Sequence, residues 1–99
     1  KHGGKLLGGV NTMYVLLVYD VGEKRVGKML KLMRKYLHWI QNSVFEGEIT
    51  DAKFLKLQNE ISRIIDEEDD SVIVFKARDK KWLDKSVMGK EKNDTDNFL

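Results

Sequence analysis

The stretch YVLLVYDVGEKR, Tyr14 to Arg25, decides the fold. Tyr14 to Tyr19 is β-branched, aromatic or leucine throughout, the composition of a short buried strand. The run stops at Asp20-Val21-Gly22, and from Glu23 onward the apolar residues change period. Val26, Met29, Leu30, Met33 and Leu37 recur at the spacing of one helix face, while Lys24, Lys28, Lys31 and Lys35 keep that spacing on the opposite face. A strand thus feeds a helix through a tight junction that carries one carboxylate, and the question is what that carboxylate does there.

Working outward, HWIQNSVFEGEI (His38 to Ile49) returns to strand character, with Asn42-Ser43 as a turn or bulge and Gly47 near the end. Thr50 or Asp51 caps a second helix that runs to about Ile65, with Phe54, Leu57, Ile61, Ile64 and Ile65 at helical spacing. The acidic run Asp66 to Asp70 ends it, because carboxylates at a helix C-terminus oppose the macrodipole. SVIVFKA, Ser71 to Ala77, is the next strand. The tail over 78–99 is highly charged, and within it WLDKSVMG, Trp82 to Gly89, is a candidate edge strand. The order βαββαβ is that of an α+β, ferredoxin-like fold: one antiparallel sheet with two helices on one face. The other sheet face needs a cover, which points to a homodimer.

Residues 1–12, KHGGKLLGGVNT, have four glycines and no sustained periodicity ahead of Met13. We read them as the remnant of an expression tag, without structure, and Met13 to Leu99 as a single domain. A domain of that size gains burial by pairing. The formal charge of +2 comes from two lysines in the leading segment, so the domain itself is neutral. Its charge is nonetheless polarised, +4 over Met13 to Val44, −6 over Phe45 to Asp70 and +2 over Ser71 to Leu99. Such a chain can offer a basic and an acidic face to different partners. With no cysteine it has neither disulfides nor thiolate metal sites. The longest apolar run, Met13 to Tyr19, is too short to span a membrane and lacks the flanks of a secretion signal. The expectation is a cytoplasmic protein.

YVLLVYDVGEKR followed by IQNSVFEGEI resembles the CRISPR-associated protein 2 family, the small subunit of the CRISPR spacer-acquisition machinery. The resemblance rests on Tyr19-Asp20-Val21, the basic helix, and Gln41, Ser43, Val44, Phe45, Glu46 and Gly47, and extends over essentially all of Met13 to Leu99. Some relatives carry a basic residue just ahead of the Gln, where this chain has His38-Trp39-Ile40, so that residue's role does not transfer. The resemblance implies a ferredoxin-like homodimer and, for some members, magnesium-dependent nuclease activity. It also implies a scaffold that holds the CRISPR integrase subunits during adaptation; the expectation is such a homodimeric scaffold on duplex DNA, and the alternative is a metal-dependent endonuclease that cuts DNA or single-stranded RNA on its own.

Asp20 then reads in two ways. Asp20-Val21-Gly22-Glu23 matches a capping box, with Asp at the N-cap and Glu at N3. Alternatively Asp20 is the catalytic and metal-holding carboxylate, binding Mg2+ or Mn2+ together with its symmetry mate, since one carboxylate per chain is too few for a two-metal site. Lys24 and Arg25 follow closely enough to contact phosphate. The stripe Lys24, Lys28, Lys31 and Lys35, without an interleaved acid, suits a nucleic-acid backbone, or is a solvated helix face. Tyr19, Gln41, Ser43 and Phe45 read as dimer or structural residues; Trp39 also reads as packing, and His38 as a lone structural histidine. The run Asp66 to Asp70 lacks the alternating ligands of a calcium loop and reads as a solvated helix end.

Overall fold

The computed structural model describes residues 5–7, 10–79, 81 and 86–90. The elements in chain order are β1 (Lys5–Leu7), β2 (Val10–Asp20), α1 (Glu23–Tyr36), β3 (His38–Gln41), β4 (Val44–Thr50), α2 (Asp51–Ile64) and β5 (Ser71–Ala77). β2 to β5 with the two helices form the expected βαββαβ unit, and all strand pairings are antiparallel. β2 is central, with β4 on one edge and β5 on the other, and β3 lies outside β4.

Register follows from which residues must be buried. Leu17 stands opposite Phe45 in β4 and Val74 in β5, and Val15 opposite Gly47 and Lys76. Val15, Leu17, Tyr19, Phe45 and Ile49 form the sheet side of the core. Met29, Leu32, Met33 and Leu37 from the first helix region, and Phe54, Leu57 and Ile61 from α2, close it from the other side. Gly47 is small because Leu37 crosses over it: a Cβ there would lie 3.3 Å from Leu37 Cδ2. The β3–β4 connection turns at Asn42, which adopts φ 46°, a left-handed conformation that asparagine tolerates. Its carbonyl accepts the Trp39 indole N–H at 3.0 Å. The helices are also tied to each other, Tyr36 donating its hydroxyl proton to Glu60 at 2.8 Å. That bond to a carboxylate, with some burial, raises the Tyr36 pKa.

Alternation along the strands sends Tyr14, Leu16, Val18 and Asp20 of β2 to the face opposite the helices. Val44 of β4 and Ile73 and Phe75 of β5 join them there, since Val18 pairs with Val44 and Ile73, and Leu16 with Phe75. Among the described residues no helix covers this face, and Ile73 and Phe75 stay 51% and 49% exposed.

Three expectations are corrected. The leading segment is not without structure: β2 begins at Val10, and β1 pairs with it from Lys5 opposite Thr12 to Leu7 opposite Val10. Thr12 is buried and donates to Glu48 at 3.2 Å. β1 lies along the edge of β2 that β5 leaves open, because β5 pairing ends at Tyr14 opposite Ala77. The apolar stripe of α1 is rotated relative to the spacing argument, with Leu32 buried and Val26 39% exposed. The reason is that α1 packs against both the sheet and α2, which draws in a flank of the helix as well as one stripe. Finally, residues 86–89 of the candidate edge strand Trp82 to Gly89 carry only irregular structure and bends, while 82–85 lie outside the described residues.

The packing predicts a contrast between two large apolar side chains. Phe45→Ala, at a fully buried site stacked near Tyr19, should destabilise by about 3–5 kcal/mol in chemical denaturation. Leu55→Ala, at a position 60% exposed, should change stability by no more than about 0.5 kcal/mol.

Candidate nucleic-acid and metal site

The two sequence motifs meet at one end of the sheet. The Tyr19 backbone N–H donates to the Ser43 carbonyl at 3.1 Å, and the Tyr19 and Phe45 rings stack at 6.2 Å with 18° between planes. Gln41 pairs with Val44 across the β3–β4 hairpin. Burial raises the Tyr19 pKa, against the opposing effects of the Ser43 hydroxyl and the Arg34 charge. Tyr19, Phe45, Ser43 and Gln41 thus build the platform from which Asp20 projects.

Asp20 is the last residue of β2, exposed, and on the uncovered face, opposite Ser71 of β5. The capping-box reading is corrected: the N-cap of α1 is Gly22, and no side chain caps it. Asp20 ends a strand two residues too early for that role, and its carboxylate has no hydrogen-bond or ion-pair partner among the described residues. Capping therefore does not account for it.

A different carboxylate organises the junction. Asp70, immediately before β5, has a side chain with no exposed surface. Its Oδ1 accepts the Gly22 backbone N–H at 2.8 Å and Arg25 Nη2 at 3.0 Å, and its Oδ2 accepts Arg25 Nε at 2.6 Å. Oδ2 also accepts the Asp66 backbone N–H at 2.8 Å, which closes the α2–β5 turn on itself. The Arg25 guanidinium, and then these backbone donors, hold the Asp70 pKa well below the usual carboxylate range. The same bond raises the pKa of Arg25. Gly22 is part of the arrangement, because a Cβ there would lie 2.6 Å from Arg25 Nη2.

Two sequence readings change as a result. Arg25, expected to contact phosphate, has Nε and Nη2 committed to Asp70. The acidic run is solvated at Asp66 to Asp69 but ends in a buried, fully bonded residue. Spacing along the chain gave no sign of Asp70, because its partners lie 45 and 48 residues away. The signal that existed was an acid at a strand start facing a basic first helical turn across one register pair.

The lysine stripe stays apart from this cluster. Lys24, Lys28, Lys31 and Lys35 are all exposed along α1, on the helix layer, while Asp20 projects on the opposite face of the sheet. Lys24, in the first turn of α1, is the stripe member nearest in sequence to Asp20. For a metal, no group of three or more His, Cys, Asp or Glu among the described residues of one chain is arranged to hold an ion. Asp20 of a single chain is therefore an incomplete donor set.

The Asp70 bonds set a pH dependence. A carboxyl whose pKa is lowered on folding adds stability above its unfolded value, about 3.9, and that stability is lost as pH falls through this value toward the lower folded one. The melting temperature of the wild-type chain should therefore fall below about pH 4. Arg25→Met should lower it already at neutral pH and flatten the acid-dependent fall, as read by thermal melts from pH 7 to pH 2.5.

The family described as CRISPR associated protein Cas2 matches residues 13–85. A protein of Dictyoglomus turgidum named CRISPR-associated endoribonuclease Cas2 is 53% identical over 87 residues, 88% of this chain and 100% of its own length. One of the same name from Thermotoga maritima is 51% identical over 87 residues, 88% of this chain and 99% of its own. A crystal structure described as that of cas2 superposes with a TM-score of 0.79 at 43% identity, covering 85% of this chain and 94% of its own. A strand ending in Tyr19-Asp20, a basic helix and the Gln41 to Gly47 hairpin on a βαββαβ frame thus place the chain in the CRISPR-associated protein Cas2 family.

Proposed function

We propose that the protein acts as a homodimer joined through the uncovered face of its sheet, and that it hydrolyses RNA phosphodiester bonds at a divalent-cation site formed by the two Asp20 carboxylates. The observation that carries this reading is the position of Asp20, an exposed carboxylate without a partner among the described residues, at the rim of an apolar face. Burying the exposed halves of Ile73 and Phe75 in both copies would contribute roughly 3–6 kcal/mol before the entropy of association. RNA is placed ahead of DNA because the relatives from Dictyoglomus turgidum and Thermotoga maritima are named endoribonucleases.

One carboxylate from each copy is a donor set of hard oxygens, which suits Mg2+ or Mn2+ with water and phosphate oxygens completing the shell. When bound, such an ion supplies Lewis-acid stabilisation of charge on the phosphoryl group. The chain's own part is to hold Asp20 in place and to exclude water from the apolar face behind it.

The lysine stripe favours a second reading, in which the dimer is a scaffold that holds duplex DNA and a CRISPR integrase subunit during spacer acquisition. Four exposed lysines along one helix, duplicated by a two-fold axis, suit backbone contact without sequence readout. The exposed acids Asp66 to Asp69 are the chemistry that a basic patch on such a protein partner would meet.

The experiments separate the parts of the proposal. Phe75→Asp should lower the mass measured by light scattering at micromolar concentration from dimer to monomer; a dimer that survives the change would remove the sheet face from the interface. Asp20→Asn should reduce RNA cleavage to background with saturating Mg2+, and wild-type cleavage by this variant would remove Asp20 from the site. Lys28→Glu with Lys31→Glu removes up to four phosphate contacts per dimer, so the log-log salt slope for duplex DNA should fall by up to roughly 3.6, with Asp20→Asn leaving it unchanged.

A further inference from the structure

We infer that Asp70 and Arg25 form a positioning clamp that fixes where the Asp20 carboxylate points. This rests on the reading of Asp20 as the reacting carboxylate, adds Asp70, which lies outside both sequence motifs, and gives Arg25 a different role from phosphate contact.

Asp20 lies at the junction of two chain segments, and the clamp binds both. Along the chain, the backbone N–H of Gly22 is held by Asp70 Oδ1 at 2.8 Å, so the turn after β2 cannot swing outward without breaking that bond. Across the sheet, Asp20 pairs with Ser71, the residue that follows Asp70 directly. Arg25 reaches back from the first turn of α1 and grips both oxygens of Asp70, at 2.6 and 3.0 Å. The Asp66 N–H adds a fourth bond to the same carboxylate. Two strand ends and a helix start therefore converge on one covered side chain, while Asp20 itself is left exposed with no bond to another of the described residues to orient it.

Such an arrangement matters most for a group that must meet a second copy of itself. Small displacements at a reacting group cost large factors in rate, and an exposed carboxylate at a strand end gains its precision only from the backbone beneath it. The bidentate fork of arginine fixes the distance and the angle together, which a lysine in the same place does not. Gly22 completes the clamp by leaving room for the guanidinium.

The test uses the full chain, an RNA oligonucleotide and Mg2+, at a temperature where circular dichroism shows every variant folded. Arg25→Lys, which keeps the charge and loses the fork, should lower kcat at least tenfold and raise the half-saturating Mg2+ concentration, with KM for RNA within twofold of wild type. Gly22→Ala, which displaces the guanidinium without removing any charge, should move the same two quantities in the same direction. It keeps the test open should Asp70→Asn fail to fold. An unchanged kcat and Mg2+ dependence in both variants, while Asp20→Asn remains inactive, would overturn the clamp and leave the role of Asp20 standing. Full activity of Asp20→Asn would overturn the reading of the site and the clamp with it. A fall in KM-linked binding with kcat unchanged would also overturn it, since that pattern assigns Arg25 to RNA contact.

Discussion

A single buried carboxylate at the end of the sheet is the constraint on which the rest of this structure depends. Asp70 has no exposed side-chain surface, and four donors from three segments satisfy its oxygens. A covered carboxylate is tolerated only when its charge is paired and its lone pairs are bonded. Here that requirement dictates the neighbourhood: arginine at 25, glycine at 22, and a turn at 66–69 that folds its own amide back onto the acid. The geometry of the β2–α1 junction, and hence of Asp20, follows from these demands.

The sheet divides the protein into two chemically different layers. On one side the helices bury an apolar core and display lysines outward. On the other, Leu16, Val18, Val44, Ile73 and Phe75 have no helix of the described residues over them. Asp20 belongs to the second layer and the lysine stripe to the first. A dimer that closes the apolar face would bring carboxylates inward and leave lysines outside, so nuclease and scaffold roles would occupy different surfaces of the same particle.

Much of this was legible in the sequence. The change from a strand run to helical spacing at Asp20 to Glu23, and the turn at Asn42-Ser43, are local signals, and local signals survive into the structure. The resemblance carried by Tyr19-Asp20 and Gln41 to Gly47 was legible for the same reason. What was not legible is what long-range pairing decides. Leu32 is buried in place of Val26 because α2 packs beside α1, and Asp70 reaches Gly22 only once β5 has aligned with β2. The strand at Lys5–Leu7 was missed because its glycine-rich surroundings carry no period, and only the open edge of β2 gives it a place.

The central claim is that the two Asp20 carboxylates act as one site. Mixed dimers test it most directly: wild-type and Asp20→Asn chains are unfolded together, refolded at varied ratios, and assayed for RNA cleavage. A shared site predicts activity that falls as the square of the wild-type fraction, because only dimers with both carboxylates cleave. A linear fall would contradict the account, since each chain would then carry a complete site of its own.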